Sequence, residues 1–173
     1  MAKFDLRTVG ITAGVTRMRV AASATRGYVG EPVQYSNPTR GSGTTSVNVV
    51  TVCADNDPVI GTDEFAGINA EDFKDSAGKT TGTVVAQYAD VDVPIPYATK
   101  IRGKAETAAD IDTQAELTGV LRDYTEFALV SSAYYIKSTA AAETGALMIV
   151  DGNISRGTLD VVVDGRAYRK AVS

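Results

Sequence analysis

Two pairs of carboxylates come closest to a catalytic pattern in this chain: Asp90 with Asp92, and Asp160 with Asp164. A positioned pair of carboxylates can divide acid and base work between its members. Both pairs, however, fall in alternating runs. In "RGTLDVVVDG", residues 156–165, Leu159, Val161 and Val163 point to one side of an extended chain, and Thr158, Asp160 and Asp164 to the other. In residues 90–95, Val91, Val93 and Ile95 alternate in the same way with Asp90 and Asp92. A strand with one dry and one wet face gives this spacing without any chemistry, so the four carboxylates are predicted as wet-face residues and no catalytic residue is assigned.

Other reactive groups lack their partners. The chain has no histidine, so neither a Ser-His-Asp triad nor a Cys-His pair can form around its single cysteine, Cys53. Cys53 ends an apolar run and is predicted as a buried structural thiol. "AGKTT", residues 77–81, matches the end of a phosphate loop, but Phe73 stands where that pattern needs its first glycine, and a hairpin turn is expected instead. "DNDPVIGTDE", residues 55–64, is rich in carboxylates, but Pro58 interrupts it and Ile60 takes the place of the sharp-turn glycine of a calcium loop, which leaves a solvated acidic loop. No metal and no cofactor is therefore assigned. Asn153 heads a glycosylation-type triplet that reads as turn sequence. Tyr124, Tyr134, Tyr135 and Tyr168, with Arg166 and Arg169, suit either a binding surface or sheet packing.

The elements around these residues are strands. Of the 173 residues, 44% are hydrophobic and 22% charged, which are globular values. Val, Thr, Ala and Ser recur with Gly at short intervals, a mainly β signature. Strands are expected at 17–21, 44–53, within "FAGINAED", along 81–97 with its far end released by Pro94 and Pro96, and in "TKIRGKAE", "YTEFALV", "SAYYIKS", "GALMIVD" and "GTLDVVVDG". One short helix is expected around 113–119, where Thr113 and Glu116 form a capping box and Gly119 supplies a stop. The fold class is accordingly mainly β, a β-barrel or β-sandwich with one short helix and an extended N-terminal arm.

Charge divides the chain. Residues 1–40 carry Lys3, Arg7, Arg17, Arg19, Arg26 and Arg40 against Asp5 and Glu31, a local charge of +4, and are broken by Pro32 and Pro38. They are predicted as an extended arm with short strands, followed by a β-rich domain over 41–173. Residues 55–75 hold seven acids against Lys74, a local charge of −6. The whole chain has 17 basic and 21 acidic side chains, which argues against direct nucleic-acid binding. No apolar run approaches a membrane span, and a protein made and kept in a reducing cytoplasm is expected.

Over residues 57–169, "EFAGINAEDFKDSAGKTTGTVVAQYADVDVPIPYATKIRGKAET", "TQAELTGVLRDYTEFAL" and "ALMIVDGNISRGTLDVVVDGRAYR" together resemble the head decoration, or cement, proteins of tailed bacteriophages. The resemblance implies a virion protein made in the host cytoplasm that binds the outer surface of an icosahedral capsid. It implies the major capsid protein as partner, self-association with a trimer favoured over a dimer, and stabilisation by bridging capsid subunits without catalysis. Arg17, Arg19, Arg26 and Tyr28 on the arm are the expected capsid or subunit contacts, and removal of residues 1–30 is expected to leave a folded domain that attaches poorly. A head fibre, a tail subunit or a glycan-binding β-sandwich adhesion module is the alternative.

Overall fold

The computed structural model describes residues 6–20, 27–35, 49–60, 64–73, 88–138 and 144–168. The chain is mainly β, as expected, and is built as a closed barrel beside a five-stranded sheet. The barrel staves are β2 (Thr12–Val20), β3 (Pro32–Tyr35), β4 (Val49–Val52), β5 (Phe65–Asn69) and β6 (Tyr88–Pro94), in the order β2-β4-β3-β5-β6. Only the β2–β4 pairing is parallel; the others are antiparallel. The open sheet comprises β1 (Arg7–Val9), β7 (Lys100–Lys104), β8 (Tyr124–Thr125), β11 (Leu147–Asn153) and β12 (Thr158–Val163), in the order β1-β7-β12-β11-β8. A hairpin, β9 (Phe127–Val130) and β10 (Ala133–Ile136), helix α1 (Gln114–Val120) and three short 3-10 turns, Ala108–Ile111, Ile154–Arg156 and Gly165–Tyr168, complete the described elements.

Alternation fills two cores. Met18, Val20, Val33, Val50, Ala66, Ala89 and Val91 point into the barrel, where Phe73 joins them. Ile101, Leu147, Ile149, Leu159, Val161 and Val163 cover the inner face of the sheet, with Phe127, Ile136 and Leu117 from the hairpin and helix. Phe65 and Ile68 of β5 belong to this second core, and the Phe65 and Phe127 ring centroids lie 6.1 Å apart. Strand β5 thus lies between both cores and is buried at every residue. At Gly67, within it, φ is +149° and a Cβ would collide with the Asp92 carbonyl oxygen, so the strand approaches β6 only because this residue is glycine.

The first forty residues contribute three hydrogen-bonded strands to these layers. β1 is an edge of the open sheet, β2 is the longest barrel stave at nine residues, and β3 lies between β4 and β5. Cys53 is buried, and its carbonyl accepts a hydrogen bond from the Tyr134 hydroxyl. The turn at 77–81, Arg26 and residues 36–48 lie outside the described residues.

Two expectations are corrected in detail. Asp160 and Asp164 are each 1% exposed, so the second side of β12 is not wet. β12 is the central strand, where Arg102 of β7 lies over Asp160, and Asp164, just past its end, is held by Arg166. Gly119 does not stop the helix; α1 runs to Val120, and Leu121 turns extended where the Arg122 N–H reaches the Ile149 carbonyl, 2.8 Å away. The capping box is present: the Glu116 N–H donates to Thr113 Oγ1 at 3.2 Å, and the Thr113 N–H to Glu116 Oε2 at 3.0 Å.

The β9–β10 loop is the pair Ser131 and Ser132, with φ of +50° and +66°. Two-residue hairpin loops with both residues in the left-handed region favour Asn-Gly, because only glycine enters it without Cβ cost. Ser132→Gly should stabilise the protein by about 1 kcal/mol, read as a rise in its thermal midpoint; an unchanged or lower midpoint contradicts this.

Candidate functional site

The predicted contact residues occupy two places. Arg17 and Arg19 lie on the outer face of β2, because Met18 and Val20 take the inner one. Arg17 stands directly across from Asp90 of β6 and grips it with two hydrogen bonds, Nε to Oδ1 at 2.8 Å and Nη2 to Oδ2 at 2.9 Å. Asp90 in turn raises the guanidinium pKa. Arg19 is exposed, in register with Val49 on one side and Tyr88 on the other. Tyr28 belongs to a separate turn, anchored where its carbonyl accepts from Asn69 Nδ2 at 2.9 Å. Arg26 lies outside the described residues.

That turn is held by Glu31, which is 6% exposed and accepts the Tyr28 N–H at 2.7 Å. Burial pushes the Glu31 carboxyl up to about 7, against the lowering effect of this hydrogen bond. Between the ordinary glutamate range and about 7 the folded protein therefore holds a proton that the unfolded chain has lost. Glu31 contributes a loss of stability as pH rises through that window. Glu31→Gln keeps an acceptor for Tyr28 and should flatten the decline, stabilising the protein at pH 8 by about 2 kcal/mol and changing little at pH 4. Urea unfolding at both pH values tests this.

The richest charge constellation is on the outer face of the open sheet. Arg7, Arg102, Asp160 and Asp151 stand in one register row across β1, β7, β12 and β11. Arg102 holds buried Asp160 with Nε to Oδ1 at 2.6 Å and Nη2 to Oδ2 at 2.7 Å. Lys100 Nζ lies 3.1 Å from Asp151 and 3.8 Å from Asp160. The Gly152 N–H, followed by Lys100, lowers the Asp151 pKa. Beside this row opens a groove of about 550 Å³, lined by Arg7, Arg102, Lys104, Asp151, Arg156 and Thr158 among others. These residues were not among the sequence candidates. The signal was the alternation of Lys100, Arg102 and Lys104 with Ile101 and Gly103, which puts three cations on one strand face.

A second cluster closes the end of β12. Burial opposes ionisation of Asp164, yet the Arg166 side chain and N–H and the Tyr97 hydroxyl together hold its carboxyl down at about 2. Arg166 Nη2 is 2.8 Å from Asp164 Oδ2, and its guanidinium carbon is 5.3 Å from the centre of the Tyr124 ring. Tyr97, 57% exposed with φ of +58°, covers the same end. Tyr134 is a core residue, Tyr135 is half-buried, and Arg169 and the Tyr168 side chain lie outside the described residues.

Two carboxylates of the acidic loop serve the backbone. Asp55 accepts the Leu129 N–H at 2.8 Å and Asp57 the Ala54 N–H at 2.7 Å. Asn153 accepts the Arg156 N–H at 3.0 Å and so caps a 3-10 turn, Ile154–Arg156. Among the described residues no helix is long and apolar enough to cross a membrane. Compared with known proteins, the chain matches no protein-family model and no curated protein.

Proposed function

We propose that the chain is a non-enzymatic structural protein of a tailed-bacteriophage virion. It binds the outer surface of the icosahedral head as a trimer or dimer and stabilises the shell by bridging major-capsid subunits. The resemblance over residues 57–169 suggests this reading, and one surface observation carries it. Ile11 is 79% exposed, Val15 61% and Tyr97 57%, the three most exposed large apolar side chains among the described residues. Ile11 and Tyr97 flank Thr99, whose hydroxyl donates to the Ile11 carbonyl, so two of the three border one hydrogen-bonded junction. Large apolar side chains held in the open suit protein–protein contact, and Val15 shares the exposed outer side of β2 with Arg17 and Arg19.

Because Ile11 and Val15 make little of the core and Asp92 stands directly across from Val15, Ile11→Lys with Val15→Lys should leave the protein folded and abolish its attachment to heads. Quantitative mass spectrometry of purified particles measures the effect as the ratio of this chain to the major capsid protein. A ratio near one for the native chain, falling to background for the variant, supports the proposal; full occupancy by the variant overturns the assigned contact, and absence of the native chain from particles overturns the function. Tyr97 beside Arg166 and Tyr124 favours the glycan-binding alternative, which requires the isolated protein to bind a cell-surface sugar on an array.

A further inference from the structure

Among the described residues, the outer face of the open sheet carries Arg7, Lys100, Arg102 and Lys104, joined by Arg156 from the turn beside it, against Asp151 and Asp160. Lys100 and Arg102 engage both of these acids, and Arg7 and Arg156 add positive charge to the same face of a chain whose net charge is −4. Arg7 and Arg156 are exposed and pair with no carboxylate among the described residues. The neighbouring surface has the opposite character. Residues 105–121 hold Glu106, Asp110, Asp112 and Glu116 and contain no lysine or arginine. Glu106, Asp112 and Glu116 are exposed. The hydrogen bond and charge of Glu116 raise the Asp112 pKa, the mark of two acids crowded without a cation between them.

The two patches adjoin. The Ala105 N–H donates to the Gly157 carbonyl at 2.9 Å, and a Cβ placed on Gly157 would lie 3.3 Å from that of Ala108. The acidic segment therefore begins where the basic groove ends. Side-by-side patches of opposite sign have a simple symmetry property. When a second copy is rotated by a two-fold axis onto this face, each patch meets its opposite, and every contact forms twice.

We propose that this face is a two-fold dimer interface, in which the Glu106–Glu116 segment of one copy enters the Arg7–Arg156 groove of the other. The groove has the volume to receive a segment rather than a single ion, and among the described residues that line it no aromatic side chain offers a nucleobase a stacking surface. This inference stands apart from the capsid reading, since it concerns the isolated protein and would hold for any role.

Sedimentation velocity of the full chain tests it at about 0.05 M and about 1 M salt, which span weak and near-complete screening. The native chain should be a dimer in the first and a monomer in the second. Arg7→Glu with Arg156→Glu makes the face wholly acidic, and Glu106→Arg with Asp112→Arg makes it basic. Each double variant alone should dimerise about 30-fold more weakly or worse, since repulsion replaces attraction at both symmetric contacts. All four side chains are exposed, so both variants should keep the native circular dichroism spectrum. Mixed in equal amounts, the two variants should recover a heterodimer. A native chain that is monomeric at low salt, an assembly of odd copy number, a dimer indifferent to both reversals, or a mixture that stays monomeric each overturns the proposal.

Discussion

A chain lacking residues 1–20 will lose the cooperative unfolding transition of the barrel. β2 is bonded to β4 on one side and β6 on the other, and it is the stave through which the barrel closes. Its removal takes Met18 and Val20 out of the core, at about 1.5–3 kcal/mol each. It also leaves the adjoining edges of β4 and β6 with unpaired backbone groups and opens Val50, Ala89 and Val91 to water. β1 goes with it, and so do Leu6 from the second core and the hydrogen bond that Thr8 donates to Asp92. The loss exceeds what a domain of ordinary stability can absorb. Thermal unfolding followed by circular dichroism checks this: a truncated chain with the native midpoint would mean that the segment is a detachable arm, as its composition alone suggests.

The second large effect is expected at the ion pair under the basic face. Arg102→Met keeps most of the side chain's apolar stem but leaves Asp160, 1% exposed, with Lys100 at 3.8 Å as the one cation among the described residues to oppose its charge. Removing one partner of a buried pair is costly because the survivor stays desolvated, and a loss of about 3 kcal/mol is expected. For a chain of this length that lowers the thermal midpoint by roughly 6–12 °C. Replacing both partners, Arg102→Met with Asp160→Leu, should recover most of it, since no uncompensated charge remains. If the double variant is as unstable as the single one, the pair is not the source of the effect.

Much of the local structure is legible in the residues themselves. Thr113 and Glu116 mark the start of α1 because a capping box needs only contacts within one turn. "TKIRGKAE" and "GALMIVD" become strands where alternation places them. "YTEFALV" does not stay one strand: the chain changes partners at Glu126, so that β8 pairs with β11 and β9 with β10. Glu126 is 8% exposed and bonded to Lys137 at 2.7 Å. No window of seven residues reveals that change, because the partners lie elsewhere in the chain.

The candidate surfaces divide in the same way. Period-two alternation puts Arg17 and Arg19 outside the barrel and Lys100, Arg102 and Lys104 on one face of β7, since side-chain direction in a strand follows from the backbone alone. Whether such a residue meets water or a partner is not a property of its own strand. Arg17 is held by Asp90, 73 positions away, and Asp160, apparently on a wet face, is buried because its strand became central and Arg102 was laid over it. The sequence by itself determined the β class, the helix and the facing of each side chain, all of which depend on neighbours in the chain. Barrel closure, the building of β1, β2 and β3 into two sheets, and the meeting of Arg7, Arg102, Asp160 and Asp151 in one row were decided only by the tertiary structure, because strand order and register are set by which distant edges bury the most apolar surface together.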